Sequence, residues 1–275
     1  MLDALKKELK TFSSYITAEQ RSLPDFFIVG TQKGGTTSLY AYLCQHPNVI
    51  AASDKEVHYF ESPENRKKGL RWYKSHFPTL SEKQAKQAIT GEATPLMYSL
   101  HAPRLVYEAA STTKLIFLLR NPTERAFSHY KHNTRKPDRE ALTFSEAIRA
   151  EDSRIEQDIR RSRENPLYND SLNRRFSYVH RGFYADQINW WRQFFPTSQM
   201  LIEESEYFYA KPQACLDKVT DFLDLPQHKF DCQSRHNTGD YSEAMSECDR
   251  QYLQALYEEP NKQLFDLIGR KLWVN

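Results

Sequence analysis

Between Gly30 and Ser38 the chain reads Gly-Thr-Gln-Lys-Gly-Gly-Thr-Thr-Ser, directly after the apolar run Phe26 to Val29. These residue types suit one task, holding an anion. Gly30, Gly34 and Gly35 let the backbone turn tightly enough for its amides and those of the first helical turn to converge. Lys33 adds a full positive charge, and Thr36, Thr37 and Ser38 add hydroxyl donors. An ordinary strand-to-helix turn needs fewer of these groups. The nucleoside-triphosphatase loop is the obvious comparison, but it places Lys directly after its last Gly. Here Thr36 stands in that position and the Lys has moved forward to 33, so the register is wrong for an ATPase. The later apolar strand, Lys114 to Leu119, ends in Arg120 rather than in an acid that could manage magnesium. A cation there points to a second anionic group on the ligand and away from a metal-phosphate site.

Three further stretches carry chemistry. Asp54-Lys-Glu-Val-His-Tyr-Phe60 follows a short strand and offers Glu56 and His58; the plainer reading is a solvated charged turn with Tyr59 and Phe60 in the core. Glu92 follows the strand expected near Ala88 to Gly91 and is a second carboxylate at a strand end. A helix starting near Pro122 puts Arg125 about one turn along and Ser128 about two. A side-facing anion would then meet Ser128 while Arg120 approaches from the strand, although Arg120 could equally form a structural ion pair. Farther on, Arg235, in the polar loop from Phe230 to Met245, could close over a nucleotide.

The elements that must position these groups alternate strand and helix. Strands are expected at 26–30, 49–52, 88–91, 114–119 and 200–203, and helices follow at 37–45, from 122 and at 211–223. That pattern gives an α/β fold with a central parallel sheet of about five strands flanked by helices, its ligand crevice beyond the carboxyl ends of the strands. The nearly all-apolar fourth strand should be central. Residues 1–22 read as an N-terminal helix and linker. The basic, aromatic stretch 61–85 reads as helices capping the crevice, either touching substrate or forming a solvated face. Residues 131–175 read as a charged insertion of exposed helices or mobile loops. Ile188, Trp191 and Phe195 form a core-facing stripe, and Pro260 should break the helical stretch 246–269.

With 275 residues and a formal net charge of +2, the chain is expected to be one domain spanning 1–275, with nothing that demands nucleic acid. No apolar run is long enough to cross a bilayer, and Met1 to Lys10 is charged and amphipathic, unlike a secretory signal. A cytoplasmic location follows as an expectation. Cys44, Cys215, Cys232 and Cys248 lie too far apart for a zinc site, and free thiols are expected over a Cys232–Cys248 bridge.

Taken together, Thr31 to Ser38, Lys55 to Phe60, Arg120 to Tyr130 and Arg181-Gly-Phe-Tyr184 resemble, in order, the motifs of the sulfotransferase family, closest to the carbohydrate and heparan sulfate type and its bacterial relatives. The resemblance implies a P-loop-like sulfotransferase fold and 3′-phosphoadenosine 5′-phosphosulfate (PAPS) as co-substrate, with the 3′,5′-bisphosphate (PAP) as product and no metal. It implies that Lys33, Gly34, Gly35, Thr36 and Thr37 hold the 5′-phosphosulfate and that Arg120 and Ser128 hold the 3′-phosphate. Glu56 matches the catalytic glutamate of the heparan sulfate enzymes, with His58 and Glu92 as competing bases. A carboxylate shielded from water beside an anionic donor would have a raised pKa, and Lys55 would oppose that if turned inward. Two departures stand out. Those enzymes often carry Lys where this chain has Ala93, and their late nucleotide loop has a Lys-Gly-Arg signature that the stretch Arg235 to Tyr241 lacks. The acceptor, a saccharide or small molecule, and the oligomeric state are not legible. Two other readings remain: a non-catalytic nucleotide-binding module, which would bind the bisphosphate without transfer, and a kinase-like phosphotransferase, which would turn over ATP with magnesium.

Overall fold

Successive side chains of a strand point to opposite faces of a sheet, and in this chain both faces are apolar. The computed structural model, which describes residues 14–135, 139–233 and 244–273, pairs five strands: β1 (Phe26–Gly30), β2 (Val49–Ala51), β3 (Ile89–Glu92), β4 (Lys114–Leu119) and β5 (Met200–Glu204). They are all parallel, in the order β2-β3-β1-β4-β5. Phe27, Val29, Leu115, Phe117 and Leu119 pack on one face against Tyr184, Ile188, Trp191 and Phe195. Phe26, Ile28, Ile116 and Leu118 pack on the other against Leu39, Tyr40, Leu43, Leu216 and Val219. The sheet is thus a middle layer between helices.

β1 and β4 are neighbours, yet the chain leaves them in opposite directions, β1 towards β2 and β4 towards β5. That reversal opens a crevice at their carboxyl ends. The segments after Gly30 and Leu119 therefore meet there.

The structure departs from the sequence-based expectations in three places. The insertion is packed: helices Phe144–Arg149, Glu151–Glu164 and Ser171–Phe176 bury Phe144, Ala147, Ile148, Ile155 and Phe176 in a third apolar cluster with Phe127, Tyr178, Leu253 and Tyr257. Its few aliphatics suffice because Phe144, Ala147 and Ile148 fall on one helical face, and Asp158 accepts hydrogen bonds from Leu172 N, Asn173 N and Tyr168 Oη. Pro260 does not break the last helix, which runs continuously over Glu247–Ile268. Leu253, Tyr257 and Leu264, buried on both sides of the proline, hold it together. Glu92 is the last residue of β3 rather than the first beyond it. Residues 1–13 of the expected N-terminal helix, and Arg235, lie outside the described residues.

Candidate active site

The turn between β1 and the helix Thr36–Leu43 is fixed by its own backbone. Thr31 N donates to Leu118 O at 2.8 Å and Gly34 N to Thr31 O at 2.9 Å, while Ser205 Oγ donates to Gly34 O at 2.6 Å. Lys33 and Gly35 take positive φ, 69° and 95°. A Cβ on Gly34 would lie 2.6 Å from Leu118 O, and one on Gly35 2.5 Å from Tyr209 Oη, so this path needs both glycines. The helix that follows starts at Gly35 with no side-chain cap. Its first amides have no side-chain cap, the arrangement that suits a helix N-terminus to an anion.

Arg120, at the end of β4, extends Nη1 to Lys33 O at 3.1 Å, and Tyr184 Oη donates to Arg120 O at 2.8 Å. The crevice thus joins the anion turn to the second cation, as the spacing of the sequence anticipates. Asn121 Oδ1 caps the helix Pro122–Thr134 by accepting from Thr123 N at 3.0 Å. Ser128 sits two turns in, on the buried side.

Across the sheet, after β2, Glu56 and His58 both adopt left-handed backbone, φ 62° and 56°. Two non-glycine residues so placed cost free energy that surrounding contacts must offset, a pattern common at functional sites. Glu56 is held by Lys55 Nζ, and its Oε2 lies 3.6 Å from His58 Nε2. His58 Nδ1 bonds Glu61. Burial alone would raise the Glu56 carboxyl, but hydrogen bonds to His58 and Lys55 outweigh it and bring the pKa down to about 2. His58 first, and Lys55 after it, thus hold the carboxyl down; the rise expected beside an anionic donor belongs to the donor-bound site. His58, bonded to Glu56 and Glu61, is pushed up to about 10. Glu92, 1% exposed, accepts from Tyr73 Oη and Thr94 Oγ1, and burial pushes it up to about 7. Of the three carboxyl and imidazole groups, Glu92 titrates nearest neutrality but is enclosed; Glu56 keeps more than a third of its side chain exposed.

Sequence reasoning left Arg181 without a role. Its Nη1 donates to Gln32 Oε1 at 2.5 Å and its Nη2 to Arg174 O at 2.6 Å, and its guanidinium lies 3.6 Å from the centre of the Tyr98 ring. The insertion is thereby tied to the anion turn through the residue beside Lys33. The Arg181-Gly-Phe-Tyr184 motif is the available signal; the sequence assigns packing to the stripe behind it, Ile188, Trp191 and Phe195, and no role to Arg181 itself. Ala93, where the resemblance expects a cation, is fully buried in the apolar cluster beneath the sheet. Among the described residues no group of three or more His, Cys, Asp or Glu could hold a metal ion, and no helix is long and apolar enough to cross a membrane. Cys44, Cys215, Cys232 and Cys248 are all unpaired.

A family model described as the sulfotransferase domain matches residues 23–260. Human heparan sulfate glucosamine 3-O-sulfotransferase 6 is 32% identical over 211 residues, covering 75% of this chain and 54% of that protein. Mouse bifunctional heparan sulfate N-deacetylase/N-sulfotransferase 4 is 31% identical over 211 residues, covering 75% of this chain but 23% of that protein. The chain thus spans only about a quarter to a half of these curated relatives. The crystal structure of a sulfotransferase from Alicyclobacillus acidocaldarius superposes with a TM-score of 0.65 at 28% identity, covering 91% of this chain and 98% of that one.

Proposed function

The chain belongs to the sulfotransferase family, and on that premise we propose that it moves a sulfuryl group from PAPS to a hydroxyl or amine of a saccharide or small-metabolite acceptor. One observation carries the reading: Arg120 reaches back to the backbone carbonyl of Lys33, so the cation that follows β4 meets the glycine turn that follows β1, at the crevice where a ligand with two separated anionic groups would lie. The glycine-lined turn, closed to any Cβ at positions 34 and 35, fits a phosphosulfate approaching the backbone. Heparan sulfate in the names of those relatives supports a saccharide acceptor, and a cytoplasmic setting is part of the same proposal.

The donor supplies a sulfuryl group whose bond to the 5′-phosphate oxygen breaks as the acceptor oxygen or nitrogen bonds to sulfur. Lys33 and the amides of Gly34 to Thr37 stabilise the charge that develops on the departing phosphate oxygen. Arg120 and Ser128 hold the 3′-phosphate and fix the donor in line, as positioning does in phosphoryl transfer. Glu56 accepts the acceptor's proton. It is ionised at working pH, and it shares its proton balance with His58, so the two titrate as a pair. An anionic donor nearby offsets the field of Lys55 and His58 and raises the basicity of Glu56 towards what the transfer needs.

A screen for transfer of labelled sulfate from PAPS to saccharides, phenols, amines and small alcohols tests the reaction and finds the acceptor. Tight PAP binding with no transfer to any acceptor would favour a binding module instead.

A further inference from the structure

Arg181 is 4% exposed, and a buried guanidinium needs a counter-charge or a full set of acceptors. Among the described residues it has neither. Its hydrogen bonds there end on a side-chain amide and a backbone carbonyl, and its Nε is buried with no partner among them. The nearest carboxylates in its field are committed elsewhere. Asp170 faces Arg174 Nε at 3.4 Å and accepts from Asn173 Nδ2 at 3.1 Å. Glu151 accepts from Val179 N at 2.6 Å and His180 N at 2.8 Å. Arg125, the other buried arginine of this region, adds positive charge, and so does Lys33, whose field reaches the neighbouring His129.

The guanidinium is also held still. It is stacked 3.6 Å from the Tyr98 ring centre and bonded at 2.5 Å to Gln32, the residue beside Lys33 in the anion turn. A rigid, undercompensated fork beside the phosphosulfate turn calls for an anionic ligand group with oxygens in a plane or a pyramid. Arg125, by contrast, donates among the described residues to Tyr178 O.

We propose that Arg181, stacked on Tyr98 and tethered by Gln32, engages the sulfuryl group of the donor and so distinguishes PAPS from PAP. The inference rests on the sulfotransferase reading above and adds to it a residue from the segment that follows the insertion.

The test is calorimetric titration of the full chain with PAPS and with PAP, which lacks the sulfuryl group. For Arg181→Gln the affinity for PAPS falls about 10- to 100-fold, the scale of a lost charged hydrogen bond, while the affinity for PAP stays within about threefold. Because the site is buried, Arg181→Gln could fail to fold, so two gentler variants accompany it. Arg181→Lys keeps the charge but loses the fork, and Gln32→Ala leaves the arginine and frees its tether; both lower the PAPS-to-PAP affinity ratio by about 3- to 10-fold. Parallel losses for the two nucleotides, or an unchanged ratio in all folded variants, would overturn the proposal and leave Arg181 a structural strut. Failure of the wild-type protein to bind either nucleotide would instead overturn the donor assignment itself, so the two failures are separable.

Discussion

Lys33 holds a left-handed backbone, φ 69°, inside the glycine turn, where the proposed reaction develops its leaving-group charge. Lys33→Ala should lower turnover by about 10² to 10³, the usual cost of one positioned donor, as measured by initial rates at saturating acceptor. Arg120 donates through Nη1 to Lys33 O, and the proposed function gives it the 3′-phosphate as well. Arg120→Ala should weaken PAPS binding and narrow its preference over the donor lacking the 3′-phosphate, a loss on the order of 1.5 to 3 kcal/mol; calorimetry with both nucleotides reads it, and unchanged discrimination would return Arg120 to a purely structural role. Among the bases, Glu56→Gln should lose roughly 10² to 10⁴ in turnover with PAP affinity little changed. If Glu56→Gln turns over normally, the base passes to whichever of His58→Ala or Glu92→Gln fails. The titrations also leave a mark on stability. Glu92 is raised to about 7, so the folded state holds its proton more tightly than the unfolded chain. Its contribution is full below the ordinary carboxyl value and is lost as pH rises through about 7. Thermal melts of Glu92→Gln should therefore show a flatter decline between roughly pH 4.5 and 7 than the wild type.

At the scale of elements, the anion turn works because strand, turn and helix share one backbone path. Gly34→Ala would drive a Cβ to 2.6 Å from Leu118 O, and a backbone carbonyl of β4, which lies between β1 and β5 and not at the centre of the sheet as its apolar run suggests, has little room to yield. The turn should be displaced, with an overpacking cost of about 1 to 3 kcal/mol and loss of nucleotide affinity; a variant with native melting and native PAP affinity would show that the turn is looser than drawn. β4 was legible to the residue, Lys114 to Leu119, because a strand buried on both faces is apolar at every position. The end of β3 was not, since Glu92 in mid-sheet register looks like a residue beyond the strand. Only its partners Tyr73 and Thr94, distant or differently aligned in sequence, make a buried carboxyl there tolerable.

At the scale of the molecule, the insertion is a third layer of core joined to the sheet through the helix Pro122–Thr134 and the final helix. Ile155, fully buried, tests that. Ile155→Ala should lower the free energy of unfolding by about 2 to 5 kcal/mol in a single cooperative transition in urea. A negligible change, or a separate early transition, would make the insertion an independent appendage. Through Arg181 and Gln32 this layer also reaches the anion turn, so packing in the insertion and binding at the turn belong to one body.

What the sequence determined by itself is the set of groups tied to local geometry: the glycines and Lys33 of the turn, the strands whose apolar runs sit in a parallel sheet, and the arrival of Arg120 at a strand end. Those follow from the chain's nearest neighbours, which sequence records directly. Tertiary structure alone decided the rest. The low pKa of Glu56 comes from hydrogen bonds to His58 and Lys55 that outweigh its burial, and the raised one of Glu92 from enclosure. The continuity of the last helix across Pro260 comes from packing on either side. The place of Arg181 comes from a contact with Gln32, 149 residues away along the chain. Burial and long-range contact set a group's charge and its neighbours, and neither is a property of the residues beside it in sequence.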